Sequence, residues 1–149
     1  VLVMPDDLLW VDIFIPRISP LWEEDVKQSA LWIGEVWLEA MQSISVHGTM
    51  HTESMERSPL SDLVCFAGKA PGEIFVSGRK IVGISQRRSR QGTRYQCALV
   101  LNWDPKHLVN AFKEAPVANI AQRIQSCGTN ADCARQDAID ALMKQLSIR

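Results

Sequence analysis

The amino-acid sequence predicts an α+β domain: an antiparallel or mixed sheet with helices packed on it. Several short runs alternate apolar and polar residues, as half-buried strands do. One longer run repeats apolar residues at steps of three and four, and Gly, Pro, Asn and Asp residues punctuate the text between them. With 149 residues, 46% of them hydrophobic, the chain is long enough to bury one proper core and is read as a single domain over residues 1–149.

The elements follow in chain order. Leu8 to Ile15 reads as a strand, with Leu9, Val11, Ile13 and Ile15 on one face and Trp10, Asp12 and Phe14 on the other, and Pro16 ends it. A long helix is expected next, capped by Ser19 with Pro20 at its first position and acids in its first turns. Its buried stripe is Trp22, Val26, Ala30, Ile33, Trp37 and Met41. Ser43 to Ser61 is polar and irregular and reads as a connection.

Short strands are then expected at Leu63 to Phe66, at Glu73 to Val76 and from Arg79 onward, the last two joined across a Ser77-Gly78 hairpin turn. Arg94 to Trp103 alternates cleanly, with Tyr95, Cys97, Leu99, Leu101 and Trp103 on one face and Gln91-Gly92 as the turn before it. Asp104 would cap a short helix over 105–112, and Asn130 a last helix from Ala131 to Leu146.

Composition narrows the function classes. Sixteen basic and seventeen acidic residues leave a net charge of −1, so no global charge points to nucleic acid. No run reaches the roughly 18 apolar residues of a membrane span, and the N-terminus lacks the pattern of a signal peptide, so no membrane association and a cytoplasmic location are expected. The four cysteines form no C-x-x-C pair and read as reduced thiols. His47 and His51 stand four apart, but Gly48 and Thr49 between them disfavour a helix and no third ligand is evident, so no metal site is assigned.

The most informative stretch is Ser77 to Arg88, SGRKIVGISQRR. Regular alternation would put Lys80, Val82, Ile84 and Gln86 on one face and Ile81, Gly83 and Ser85 on the other. An ammonium beside an apolar wall suits a ligand with an anionic head and a hydrocarbon tail, and Gly83 would let that ligand come close. The competing reading is a solvated lysine near a turn and a glycine at a bulge. Arg79, Lys80, Arg87, Arg88, Arg90 and Arg94 lie in a run without an acid, either a solvated hairpin tip or a patch for phosphate or an acidic partner.

GRKIVGISQRR, taken with CFAGKAPGEIFV before it and RYQCALVLNWDP after it, resembles the lipoate-protein ligase and octanoyltransferase family, relatives of the biotin protein ligases. The resemblance implies a biotin/lipoate ligase-like catalytic domain. It also implies that Lys80 contacts the acyl carboxylate and the phosphate of an acyl-adenylate, that Gly78 and Gly83 permit the ligand's approach, and that Val82 and Ile84 line its tail. Arg87 and Arg88 would dock the carrier or hold phosphate. ATP with Mg2+ would be the cofactor and lipoate the substrate. The partners would be lipoyl-carrier domains of 2-oxoacid dehydrogenase complexes or the glycine cleavage H protein. Substituting Lys80 is expected to stop the reaction and spare the fold.

Cys65-Phe66 matches a segment in which some relatives carry a nucleophilic cysteine; a thiol packing as a small hydrophobe is the alternative. Two departures stand out. Gln96-Cys97-Ala98 replaces a histidine-containing segment, and the arginine-rich, triple-glycine segment that relatives carry before the first strand is not found. The expectation is therefore a domain without its N-terminal part, either a ligase, an ATP-independent octanoyltransferase with a Cys65 thioester, or a non-catalytic binding module.

Overall fold

A computed structural model describes residues 6–112 and 118–149. Five strands form one sheet: β1 (Leu8–Pro16), β2 (Thr49–Met50), β3 (Ile74–Val76), β4 (Arg79–Arg88) and β5 (Gly92–Val100). Their order across the sheet is β1-β5-β4-β3-β2, and every adjacent pair is antiparallel. Helix α1 (Val26–Ser43) covers one face and α4 (Arg135–Ser147) packs against it, while the short helices α2 (Lys106–Asn110) and α3 (Ile120–Gln125) sit in a separate small cluster. The predicted α+β class with an antiparallel sheet is what the chain adopts.

The alternation of β1 and β5 explains the main core. Leu9, Ile15, Tyr95, Cys97 and Leu99 turn inward onto Ile33, Val36, Trp37, Ala40 and Met41 of α1. Trp10 and Phe14, on the opposite face of β1, are 43% and 51% exposed. Trp37 is fully buried, and truncating so large a core side chain to Ala would cost about 3–5 kcal/mol. A second cluster of Leu60, Val64, Ile120 and Ile124 gathers Phe66 and Trp103 around it.

Several expected boundaries shift, because the expected capping side chain makes a different hydrogen bond. Ser19 does not cap α1. Its hydroxyl accepts the Leu21 N–H (3.2 Å) and its carbonyl accepts the Trp22 N–H (3.0 Å), which closes a turn. The helix starts six residues on, where the Asp25 carboxylate accepts the Gln28 N–H at 2.8 Å. Asn130 likewise spends its side chain elsewhere, accepting the Trp103 N–H (2.7 Å), and α4 begins only at Arg135.

Leu63 to Phe66 is no strand. Cys65–Ala67 form a single 3-10 turn, closed by the Ala67 N–H on the Val64 carbonyl (2.9 Å). Helix α3 was not anticipated from the sequence. The Ser77-Gly78 turn is where it was expected, with φ of 50° and 75°, the left-handed pair of a type I′ hairpin.

Candidate functional site

The hairpin of β3 and β4 carries the motif lysine, and its pairing is irregular. Phe75 faces Lys80 and Ile74 faces Val82, so Ile81 is an extra residue on β4. This β-bulge breaks the alternation read from the sequence. Ile81 and Val82 both enter the core under α1, while the Lys80 side chain turns the other way, beside Gly83. Lys80 therefore shares a face with Gly83, and Val82 does not stand next to its ammonium.

Lys80 is 1% exposed. Its Nζ donates to Glu73 Oε2 at 2.7 Å and to the Cys65 carbonyl at 3.4 Å, and lies 5.3 Å from the Phe66 ring centroid and 5.8 Å from that of Phe75. A carboxylate, a carbonyl and two aromatic faces thus replace water around the charge. Glu73, 6% exposed, also accepts the Ala70 N–H (2.8 Å) and the Ile84 N–H (3.4 Å). Burial raises the Glu73 carboxyl above its ordinary value, and the Lys80 charge opposes that rise.

The backbone at Lys80 is fixed from both sides. Beyond the end of β5, the chain at Gly128 forms a parallel bridge with Lys80: Lys80 N–H donates to Cys127 O (2.9 Å) and Thr129 N–H to Lys80 O (3.2 Å). Gly128 permits this because the Trp103 indole lies against it; a β-carbon there would meet the ring at 2.7–2.8 Å. Trp103 in turn packs on Phe66, with centroids 5.3 Å apart, and so seats the ring that covers Lys80.

The lysine forms part of the wall of an open cleft of about 840 Å³, bordered also by Glu73, Cys65, Met55, Val26 and Ile84. Of the residues singled out in the sequence, the structure brings Lys80, Cys65 and Ile84 to this cleft. Gly83 lies beside Lys80, but the space above it is held by the Phe66 ring, 3.5 Å from where a β-carbon would be. Gly78 is out at the hairpin tip, and Val82 is fully buried in the core.

Arg87 is exposed opposite Arg94 of β5. Arg88 donates to the Glu23 and Glu24 carbonyls and lies over the Trp22 ring (5.2 Å), tying β4 to the segment before α1. Arg94 pairs with Asp12 at 2.8 Å, so the basic run does not form one patch. Sequence reasoning missed Glu73, Phe66, Trp103 and Gly128. Glu73 was within reach: an acid near the hairpin that carries a lysine is the first place to look for a counter-ion.

Cys65 is an exposed residue with a free thiol, and its contact with Lys80 runs through its backbone carbonyl. Cys97, Cys127 and Cys133 are also free. Among the described residues no three His, Cys, Asp or Glu side chains gather as a metal site, and no helix is long and apolar enough to cross a membrane.

The family model of the lipoyl protein ligase A/B catalytic domain matches residues 9–147. No curated protein sequence matches the chain. Among solved structures, a bi-partite lipoate protein ligase studied with its E2 lipoyl domain from Thermoplasma acidophilum aligns with a TM-score of 0.65 at 14% identity, over 97% of this chain and 51% of that one. A T. acidophilum protein with bound lipoic acid aligns with a TM-score of 0.63 at 12% identity, over 97% and 51%. Biotin protein ligase from Aquifex aeolicus in complex with biotin and ATP aligns with a TM-score of 0.61 at 15% identity, over 95% and 49%. The chain spans about half the length of the structures it matches.

Proposed function

Because the chain belongs to the lipoyl protein ligase A/B catalytic-domain family, we propose that it serves the attachment of lipoate, or a similar medium-chain acid, to a lysine of a lipoyl-carrier domain. The observation that carries this reading is the Lys80 ammonium, held at the cleft wall by a carboxylate and two aromatic rings. The acid's carboxylate would attack the α-phosphate of ATP and release pyrophosphate. The carrier's amine would then attack the acyl carbon and AMP would leave. Each step moves negative charge on the acid or the phosphate, and a fixed cation in a partly dry site stabilises that charge most where it develops.

The other roles follow from position. Ile84 would border the acyl tail, and Gly83, with Phe66 above it, would shape the floor beside Lys80. Val82 would support that floor from the core, Gly78 would set the hairpin that presents Lys80, and Arg87 would face the carrier from the exposed side. Arg88 would act through the segment it ties down. Mg2+ would arrive on the phosphates of ATP, which it neutralises. The E2 lipoyl domain of the archaeal ligase system supports a lipoyl domain as acceptor, and the glycine cleavage H protein is the second candidate.

The test is intact-mass measurement of a lipoyl domain after incubation with this chain, lipoate, ATP and Mg2+. A mass gain with Glu73→Gln that disappears on adding Lys80→Met in the same background supports the reading, and equal gain in both overturns it. Cys65, an exposed residue with a free thiol on the border of the cleft, favours one second reading, acyl transfer through a thioester. Octanoyl adduct on Cys65 after incubation with octanoylated carrier, without ATP, would select it. A binding module would instead hold lipoate and show neither reaction.

A further inference from the structure

We propose that Glu73 is an internal stand-in for the ligand: its carboxylate occupies the Lys80 ammonium until an anionic ligand replaces it, and the exchange takes one proton from solvent onto Glu73. This deepens the acid-binding reading and rests on it. Lys80 is too buried to meet a ligand without giving something up, since its Nζ already has a carboxylate oxygen at 2.7 Å and a carbonyl at 3.4 Å. A ligand carboxylate arriving from the cleft would make two carboxylates share one ammonium in a poorly solvated place. Like charges so close cannot both stay ionised at ordinary cost, and one of them takes a proton.

Glu73 is the one placed to take it. It is buried, and its carboxyl is already raised by that burial, which outweighs the Ala70 N–H on Oε2 and the Ile84 N–H on Oε1 that favour the ionised form. The charged and titratable groups bordering the same cleft are Lys27 from α1 and Glu56, Arg57, Asp62, Cys65 and Lys69 from the connecting segment. Glu56 is itself paired with Lys69 at 2.9 Å, and these cleft-wall groups are more solvated than Glu73. The site is thus self-neutralised at rest and selects acids that can pay for displacing a carboxylate, excluding neutral amides and esters of the same length.

Calorimetric titration of octanoate at pH 7, in two buffers of different ionisation enthalpy, counts the protons. The wild-type chain should take up about one proton per octanoate bound. Glu73→Gln should take up none and bind at least about tenfold tighter, because the ammonium has lost its competitor. Octanoate binding to the wild-type chain without proton uptake overturns the proposal and leaves the acid-binding reading in place, and that measurement needs no variant. If octanoate binds neither form, the acid-binding reading fails, and inorganic pyrophosphate then judges Glu73 separately. Tighter pyrophosphate binding by Glu73→Gln retains the stand-in role, and equal or absent binding overturns it.

Discussion

Replacing Lys80 with Met tests the site through the fold. The side chains of Lys80 and Glu73 are 2% and 8% exposed, so solvent screens the pair little, and the oxygen–nitrogen distance is 2.7 Å. Methionine fills much of the same volume but leaves the Glu73 carboxylate with only the Ala70 and Ile84 N–H groups. Removing one partner of a buried pair strands the other charge, at a cost of about 3–5 kcal/mol. That is a large share of the stability of a single domain, so Lys80→Met is expected to lower stability measurably, whereas the sequence context alone led to the expectation that the fold would be spared.

The pH dependence has a definite sign. Glu73 in the folded chain titrates above its ordinary value of 4.5, and losing Lys80 removes an opposing influence and pushes it higher still. A carboxyl raised by folding favours the folded state while protonated and loses that contribution as pH rises through its folded value. The Lys80→Met penalty should therefore be full at pH 7 and shrink toward pH 4.5. Urea denaturation at pH 7 and pH 5 measures both, and adding Glu73→Gln to Lys80→Met should recover most of the loss. A Lys80→Met penalty below about 1 kcal/mol at pH 7, the range of solvent-exposed pairs, would refute the buried-pair argument.

Other substitutions probe the surroundings. Gly128→Ala puts a methyl group 2.7–2.8 Å from the Trp103 ring, which must move; a loss of about 1–3 kcal/mol in urea and a shifted tryptophan emission are expected. Burial pushes the Cys97 thiol up to about 12 from 9.0, so folding stability should fall by about 1.4 kcal/mol per pH unit above pH 9; Cys97→Ala should flatten that slope in alkaline urea melts. Arg94→Ala breaks an exposed pair with Asp12 and should leave the urea midpoint where it is, at low and at high salt.

Much of the fold was legible because strand alternation and the hairpin turn are local signals. Tyr95, Cys97 and Leu99 sit inward as their spacing implies, and Ser77-Gly78 turns where its residues permit a left-handed pair. What was not legible depends on partners distant in sequence. The α1 start was misplaced because Ser19 can close a turn as readily as cap a helix, and the turn is accompanied by the packing of Trp22 against Arg17 and Arg88, the latter distant in sequence. At the site, the motif marked Lys80, but a one-residue bulge at Ile81 redirected it, and no periodicity announces a bulge. The aromatic cover came from Phe66, in a segment read as a strand, and its support from Trp103, far along the chain.

The parallel bridge at Gly128 also orders events in time. The hairpin of β3 and β4 can close from its own residues soon after it forms, but the flank of Lys80 beyond β5 is supplied by a segment much later in the chain. Long-range closure is entropically slow compared with a hairpin. A chain still being synthesised can therefore make the strand that carries the lysine well before it can seat that lysine. The backbone support of the cleft lysine is thus completed among the last parts of the molecule.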